Sequence, residues 1–64
     1  MITYQAFTNY YGGIKTREAA LEYAERETQS EWKAMFVRLA EELERGVMYV
    51  SFTNENGKLA YRKV

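Results

Sequence analysis

The stretch VMYVSFTNENGKLAYRKV, residues 47–64, predicts two strands joined by a tight turn. Both ends of this stretch are rich in β-branched and aromatic residues, which are favoured in strands. Asn56 and Gly57 lie between the two runs. Asn-Gly is the preferred pair for a type I′ turn, because both central residues of that turn need a positive φ. The pattern therefore predicts an antiparallel hairpin with strands at residues 47–53 and 58–64.

A two-residue turn at Asn56-Gly57 would also set the register of the hairpin. Phe52 would then lie opposite Tyr61, and Val50 would lie opposite Lys63. Strand residues alternate between two faces, so the more apolar alternate set is expected to face the helices. That set consists of Met48, Val50, Phe52, Leu59 and Tyr61.

Residues 17–45 precede the hairpin and contain no Gly or Pro, which favours helix. A single helix of this length would be roughly 43 Å long, far longer than a strand of about 23 Å. Thr28 and Glu31 fit a capping box that would begin a second helix. We therefore expect two helices, at residues 16–27 and 29–45. The alternative is one long helix that pairs with a second copy of the chain.

The expected second helix has one apolar stripe at helical spacing, and Gly46 follows it in the position of a C-terminal cap. The stripe consists of Trp32, Met35, Phe36, Leu39, Ala40 and Leu43. The first helix has a weaker stripe of Ala20, Leu21, Tyr23 and Ala24. Both stripes are expected to face the core.

Residues 2–8, ITYQAFT, are again rich in β-branched and aromatic types and predict a third strand. Residues 9–13 end in Gly-Gly, a strong breaker, and predict a loop. The expected order is strand, helix, helix, strand, strand. The sequence thus predicts a two-layer α+β fold, a three-stranded, mostly antiparallel sheet with two helices on one face, in a single domain of residues 1–64.

The composition excludes most kinds of site chemistry. None of the 64 residues is Cys or His, which removes disulfides, thiolate ligands and the commonest general base and metal ligand. The glutamates spread over the polar sides of the helices, where carboxylates are normally solvated. We therefore expect no catalytic residue, no cofactor and no metal, and a protein that is not an enzyme.

The start of the chain and its lack of Cys bear on location. Met1 is followed directly by the strand-like residues 2–7, without the basic and apolar regions of a secretory signal. No apolar run approaches the roughly 20 residues that a membrane span needs. A chain without Cys also agrees with a reducing compartment. We expect a cytoplasmic protein that makes no use of a membrane.

The charges are segregated along the chain although the formal net charge is zero. Residues 17–45 carry three more acidic than basic side chains, and the remainder carries three more basic than acidic ones. Lys58 and Arg62 would lie on the polar face of the predicted sheet, together with the aromatic side chains of Phe7 and Tyr49. Such a face could stack bases while its cations meet phosphates, so nucleic-acid binding is one alternative function.

The aromatic residues point to a different function. The chain has six Tyr, three Phe and one Trp, more than one core layer of this size accommodates. Four of them have no assigned place in the predicted core: Phe7, Tyr10, Tyr11 and Tyr49. Contiguous exposed aromatics mark interfaces. The leading hypothesis is a protein-binding module, an inhibitor or regulator of the kind that phages and other mobile elements encode. A structural homo-oligomer is a further alternative.

Overall fold

The computed structural model describes residues 2–64 and has an α+β architecture. The elements follow one another as three helices and then a two-stranded antiparallel sheet. The helices are α1 (Tyr4–Tyr11), α2 (Arg17–Arg26) and α3 (Ser30–Glu44), and the strands are β1 (Tyr49–Thr53) and β2 (Leu59–Lys63). The predicted three-stranded sheet with two helices is therefore wrong, although two helices and the hairpin lie where the sequence predicts them.

The error lies at residues 2–11, because α1 (Tyr4–Tyr11) replaces both the predicted strand at residues 2–8 and the start of the predicted loop at residues 9–13. Thr3 is the N-cap of α1, and its hydroxyl accepts a hydrogen bond from the N–H of Ala6 at 3.1 Å. Tyr4, Phe7 and Tyr11 recur at the three- and four-residue spacing of a helix. A short apolar run is ambiguous between strand and helix, and here the cap and the spacing outweigh the strand propensity of its residues.

The contacts of the chain form two compact units. We call the residues up to Gly13 together with Met48–Val64 the aromatic unit, which contains α1, β1 and β2. We call Ile14–Val47 the helical unit, which contains α2 and α3.

The helical unit is an antiparallel pair of helices. Arg17, at the start of α2, lies 3.7 Å from the carboxylate of Glu44, at the end of α3. The helical conformation is interrupted between Arg26 and Ser30, so residues 16–45 form two helices, not one. The predicted capping box is not formed: Gln29 is the N-cap of α3 and makes no side-chain capping bond. The Glu27 carboxylate instead accepts from the N–H groups of residues 28 and 29.

The apolar stripes of α2 and α3 form the interior of the helical unit. Ala20 and Ala24 are buried on α2, and Phe36, Leu39 and Ala40 are buried on α3. Small side chains on α2 allow the two helix axes to approach closely. The centres of both predicted stripes are therefore confirmed. Four other members are half-buried, namely Leu21, Trp32, Met35 and Leu43, and one member is an exception.

Tyr23 is the exception, because it lies at the rim of the helical unit and remains partly exposed. Its ring stacks on the ring of Phe36 at 5.3 Å, and the guanidinium of Arg26 lies 5.3 Å from its centre.

Gly46 ends α3 as predicted. Its φ of 88° is in the left-handed region, which favours glycine. The N–H of Gly46 donates to the carbonyl of Leu43, and the N–H of Val47 donates to the carbonyl of Glu42. This pair of bonds is the Schellman motif, which satisfies the last carbonyls of a helix.

The hairpin has a three-residue loop, not the predicted two-residue turn. The N–H of Gly57 donates to the carbonyl of Asn54, and the Asn54 side chain accepts from the N–H groups of Asn56 and Lys58 at 2.9 and 3.0 Å. Gly57 has a φ of 76°, whereas no described residue other than Gly has a positive φ. The loop is therefore a type I turn followed by a left-handed glycine, a common three-residue connection.

This loop shifts the register of the hairpin by one residue from the predicted one. Phe52 lies opposite Ala60 and Ser51 lies opposite Tyr61. A one-residue shift moves one strand's side chains to the other face relative to its partner. Val50 and Phe52 consequently share a face with Ala60, and the predicted single apolar face of the hairpin is wrong.

Candidate functional site

The aromatic unit is held together by side chains of α1. The ring of Phe7 stacks on Tyr4 at 5.6 Å and contacts Tyr11 at 5.2 Å, and Phe7 is fully buried. Tyr10 lies on the outer side of the same helix, with its ring 5.8 Å from that of Tyr11. The buried side of α1 thus anchors the helix that carries Tyr10, whose ring remains accessible.

Two glycines let α1 approach β2 closely. A Cβ atom on Gly12 would overlap the Cβ of Tyr61 and lie 2.6 Å from the carbonyl oxygen of Thr8. A Cβ atom on Gly13 would lie 2.9 Å from the hydroxyl oxygen of Tyr61. Gly12 has a φ of −63°, which any residue adopts, so glycine is needed here for space. The Gly12–Tyr61 contact fixes where α1 ends against the hairpin.

An open cleft of about 410 Å³ lies beside this contact. Its lining comes from α1, from the hairpin loop and from β2: Asn9, Tyr10, Lys58, Leu59 and Tyr61. Tyr10 is 80% exposed and Leu59 is 64% exposed. We call these five residues the Tyr10 cleft. It brings two large accessible side chains, a cation and an amide together on one surface.

The structure separates the four predicted aromatic site residues. Tyr10 lies in the cleft, and Tyr11 is half-buried beside it. Phe7 and Tyr49 are only 0% and 6% exposed and belong to the interior. Their rings are therefore not available as exposed aromatic contacts for a partner.

Leu59 is the exposed residue of the cleft that the sequence did not predict. The prediction assigned Leu59 and Tyr61 to the face covered by helices, but Leu59 is exposed, whereas Tyr61 is half-buried against Gly12 and Gly13 of the α1 end. The signal for the correct register was Asn54, whose side chain favours the start of a type I turn. The Asn54–Gly57 spacing therefore indicated a three-residue loop, whereas the Asn56-Gly57 pair suggested a two-residue turn.

The two cations of the predicted nucleic-acid face have different surroundings. Lys58 lines the Tyr10 cleft. The guanidinium of Arg62 lies 5.3 Å from the ring centre of Phe52, an arrangement typical of a cation–π contact. Phe7 and Tyr49, which were expected to stack bases beside these cations, are buried. The predicted stacking platform is therefore not assembled on this surface.

The buried polar side chains of residues 2–64 all have hydrogen-bond partners. Thr8 and Glu42 are the buried polar residues among residues 2–64, and the Thr8 hydroxyl donates to the carbonyl of Gln5 at 3.1 Å. No buried side-chain nitrogen or oxygen in this range lacks a hydrogen-bond partner. The same range contains no cluster of three or more His, Cys, Asp or Glu residues that could hold a metal ion.

The helices of residues 2–64 are all too short or too polar to cross a membrane.

Charge differs between the two units. The aromatic unit carries Lys58, Arg62 and Lys63 against Glu55, so its side chains have a net charge of +2. The helical unit carries six basic and eight acidic side chains, a net charge of −2. The Tyr10 cleft therefore lies on the basic part of the chain.

Comparison with protein-family models, curated proteins and solved structures finds no match for this chain.

Proposed function

We propose that this protein is a non-enzymatic protein-binding module that acts by occupying a partner's surface through the Tyr10 cleft. The observation that supports this most is the exposure of Tyr10 and Leu59, 80% and 64%, around one cleft. Two large accessible side chains on one concave surface are typical of an interface.

The construction of the cleft suits binding in two ways. Tyr offers a large contact area with a polar tip at low entropic cost, and it is enriched among residues that dominate binding energy. Tyr10 also sits on a helix whose other side is locked by Phe7 and by the Gly12–Tyr61 contact. A contact residue on a packed helix requires less backbone ordering when a partner binds than one on a mobile loop.

Lys58 makes an acidic or polar partner surface the best complement to the cleft rim. Opposite charge at the rim mainly accelerates association and selects among partners. A role as an inhibitor or regulator, and a cytoplasmic location in line with the lack of Cys, belong to the same proposal.

The test is affinity capture with the whole chain, followed by binding measurements on the purified partner. The cleft variant carries Tyr10→Ser and Leu59→Ser. The matched control is Val64→Ser, which also shortens an exposed apolar side chain but lies outside the cleft. We expect the unmodified chain and the control to bind one partner equally. The cleft variant should weaken that binding by about thirtyfold or more, the typical effect of losing a dominant aromatic contact.

Equal binding by the cleft variant and the control would show that the interface lies elsewhere. Binding of single-stranded nucleic acid at low salt, abolished by Lys58→Glu with Arg62→Glu, would support the alternative instead, because such binding depends on neutralising phosphates.

A further inference from the structure

Strand β1 has an outer edge that the described chain leaves open. The N–H of Asn54 bonds to the carbonyl of Lys58, and the N–H of Val64 bonds to the carbonyl of Met48. In an antiparallel ladder the hydrogen-bonded positions alternate, so Ser51 and Thr53 direct their backbone groups away from β2. Both residues are exposed, and within residues 2–64 neither forms a further hydrogen bond.

The outer edge of β1 also lacks the features that normally protect an exposed strand. Its sequence, YVSFT, contains no charge, no Pro and no Gly. Natural edge strands usually carry Lys, Pro or a bulge, or lie under a helix or loop, because an unpaired edge is a template for another strand. On the other strand, α1 packs against β2, with Gly12 against Tyr61. Strand β2, LAYRK, also carries two charged residues, so β1 has the less protected edge of the two.

We infer that β1 pairs with β1 of a second copy of this chain, antiparallel and about a two-fold axis at Ser51, to form a four-stranded sheet. In this arrangement the two Ser51 residues exchange both backbone hydrogen bonds, since both point outward. This surface is separate from the Tyr10 cleft, and the inference does not depend on the proposed function.

The side chains of β1 are complementary to themselves under this two-fold axis. Val50 of one copy lies opposite Phe52 of the other, and pairs of aromatic and β-branched residues stabilise antiparallel strands. Val50 is exposed and Phe52 is half-buried in the single chain, so both gain contact. No like charges oppose each other along the strand.

The overall charge also favours a second copy over a charged partner. The formal net charge of the chain is zero, so two copies do not repel each other as a whole. Proteins near zero net charge associate more readily than charged ones. A symmetric two-fold dimer is the commonest way in which a soluble chain associates with itself.

Light scattering on a sizing column, across the micromolar to millimolar range, tests the dimer with the whole chain. We expect a concentration-dependent dimer. Ser51→Lys and Ser51→Glu should each weaken it by about fivefold or more, because each places like charges directly opposite across the axis. An equimolar mixture of the two variants should restore the dimer, since unlike charges then oppose each other. Val64→Lys adds a charge to the same hairpin away from the axis and should leave the dimer intact.

Amide hydrogen exchange supplies a second measurement. The N–H groups of Val50 and Phe52 belong to the β1–β2 ladder and should be protected at every concentration. The N–H group of Ser51, which points away from β2, should become protected only where the dimer forms. A chain that remains monomeric throughout the range overturns the inference. A dimer that is insensitive to both Ser51 variants, or a mixture of them that stays monomeric, overturns it as well.

Discussion

The two units of this chain bury their interiors by different means. The helical unit packs small and large apolar side chains from two helices, such as Ala20 and Leu39. The charged side chains of the chain are concentrated in this unit. The aromatic unit packs a row of aromatic rings along α1, and Gly12 allows α1 to contact β2 closely. Its surface keeps large apolar side chains exposed, including Tyr10 and Leu59.

In our proposal, this difference separates stability from recognition within 64 residues. A helical pair with a charged exterior is typical of a solvated scaffold. A unit that leaves an aromatic cleft and an open strand edge at its surface is typical of an interface. We therefore place both proposed interactions in the aromatic unit.

The largest expected effects come from removing the central aromatic side chain of each unit. Phe36→Ala in the helical unit and Phe7→Ala in the aromatic unit should each reduce the free energy of unfolding by roughly 3–5 kcal/mol, because both rings are buried and leave a cavity. Urea denaturation followed by circular dichroism measures the loss. Val37→Ala, at a partly exposed position of α3, is the control and should cost much less. An unchanged midpoint for Phe7→Ala would contradict the aromatic core.

An intermediate effect distinguishes two glycines that are needed for different reasons. Gly12→Ala should cost about 1–3 kcal/mol because the added methyl group overlaps the Tyr61 side chain. Gly46→Ala, in open space at a φ of 88°, should cost about 1–2 kcal/mol through backbone strain alone. Asn tolerates the left-handed region, so Gly46→Asn should recover part of the loss, whereas Gly12→Asn should not. Thermal unfolding of the four variants tests this, and recovery at Gly12 would contradict the close contact with Tyr61.

The smallest expected effect tests the register of the hairpin. Asn54→Ala removes the acceptor of two backbone N–H groups and should cost about 1–2 kcal/mol. Asn56→Ala should change stability by only about 0.5 kcal/mol, since Asn56 is exposed and lacks a positive φ. A two-residue type I′ turn would reverse this order, because Asn56 would then need the left-handed conformation. Chemical denaturation of the two variants side by side decides between the turns.

The sequence was sufficient for the helical unit because its signals are long and agree with one another. The stripe around Phe36 and Leu39 extends over several turns of α3, and Gly46 supplies a stop in the expected place. Such periodicity specifies a helix even when one cap is misassigned, as Thr28 was. The break between α2 and α3 was predicted from the length of the segment and from a capping box at Thr28 that does not form.

The aromatic unit was harder to predict because its local signals are short and compete. The run at residues 2–8 has the composition of a strand, and its helical spacing shows only when Tyr11 is included. The Asn56-Gly57 pair suggested one turn while Asn54 formed another. Tyr10 was correctly identified as an unburied aromatic. Leu59 could not be placed beside it, since the contact between α1 and β2 depends on tertiary packing around Gly12.

The division into two units also separates the intrinsic chromophores of the protein. Its one Trp, Trp32, belongs to the helical unit, whereas five of its six Tyr belong to the aromatic unit. Selective excitation of indole therefore reports on the helical pair, and phenol absorbance reports chiefly on α1 and the hairpin. Unfolding curves recorded at the two wavelengths coincide if the chain unfolds as one cooperative body and separate if one unit melts first. The unmodified protein thus has a separate intrinsic spectroscopic signal for each of the two units.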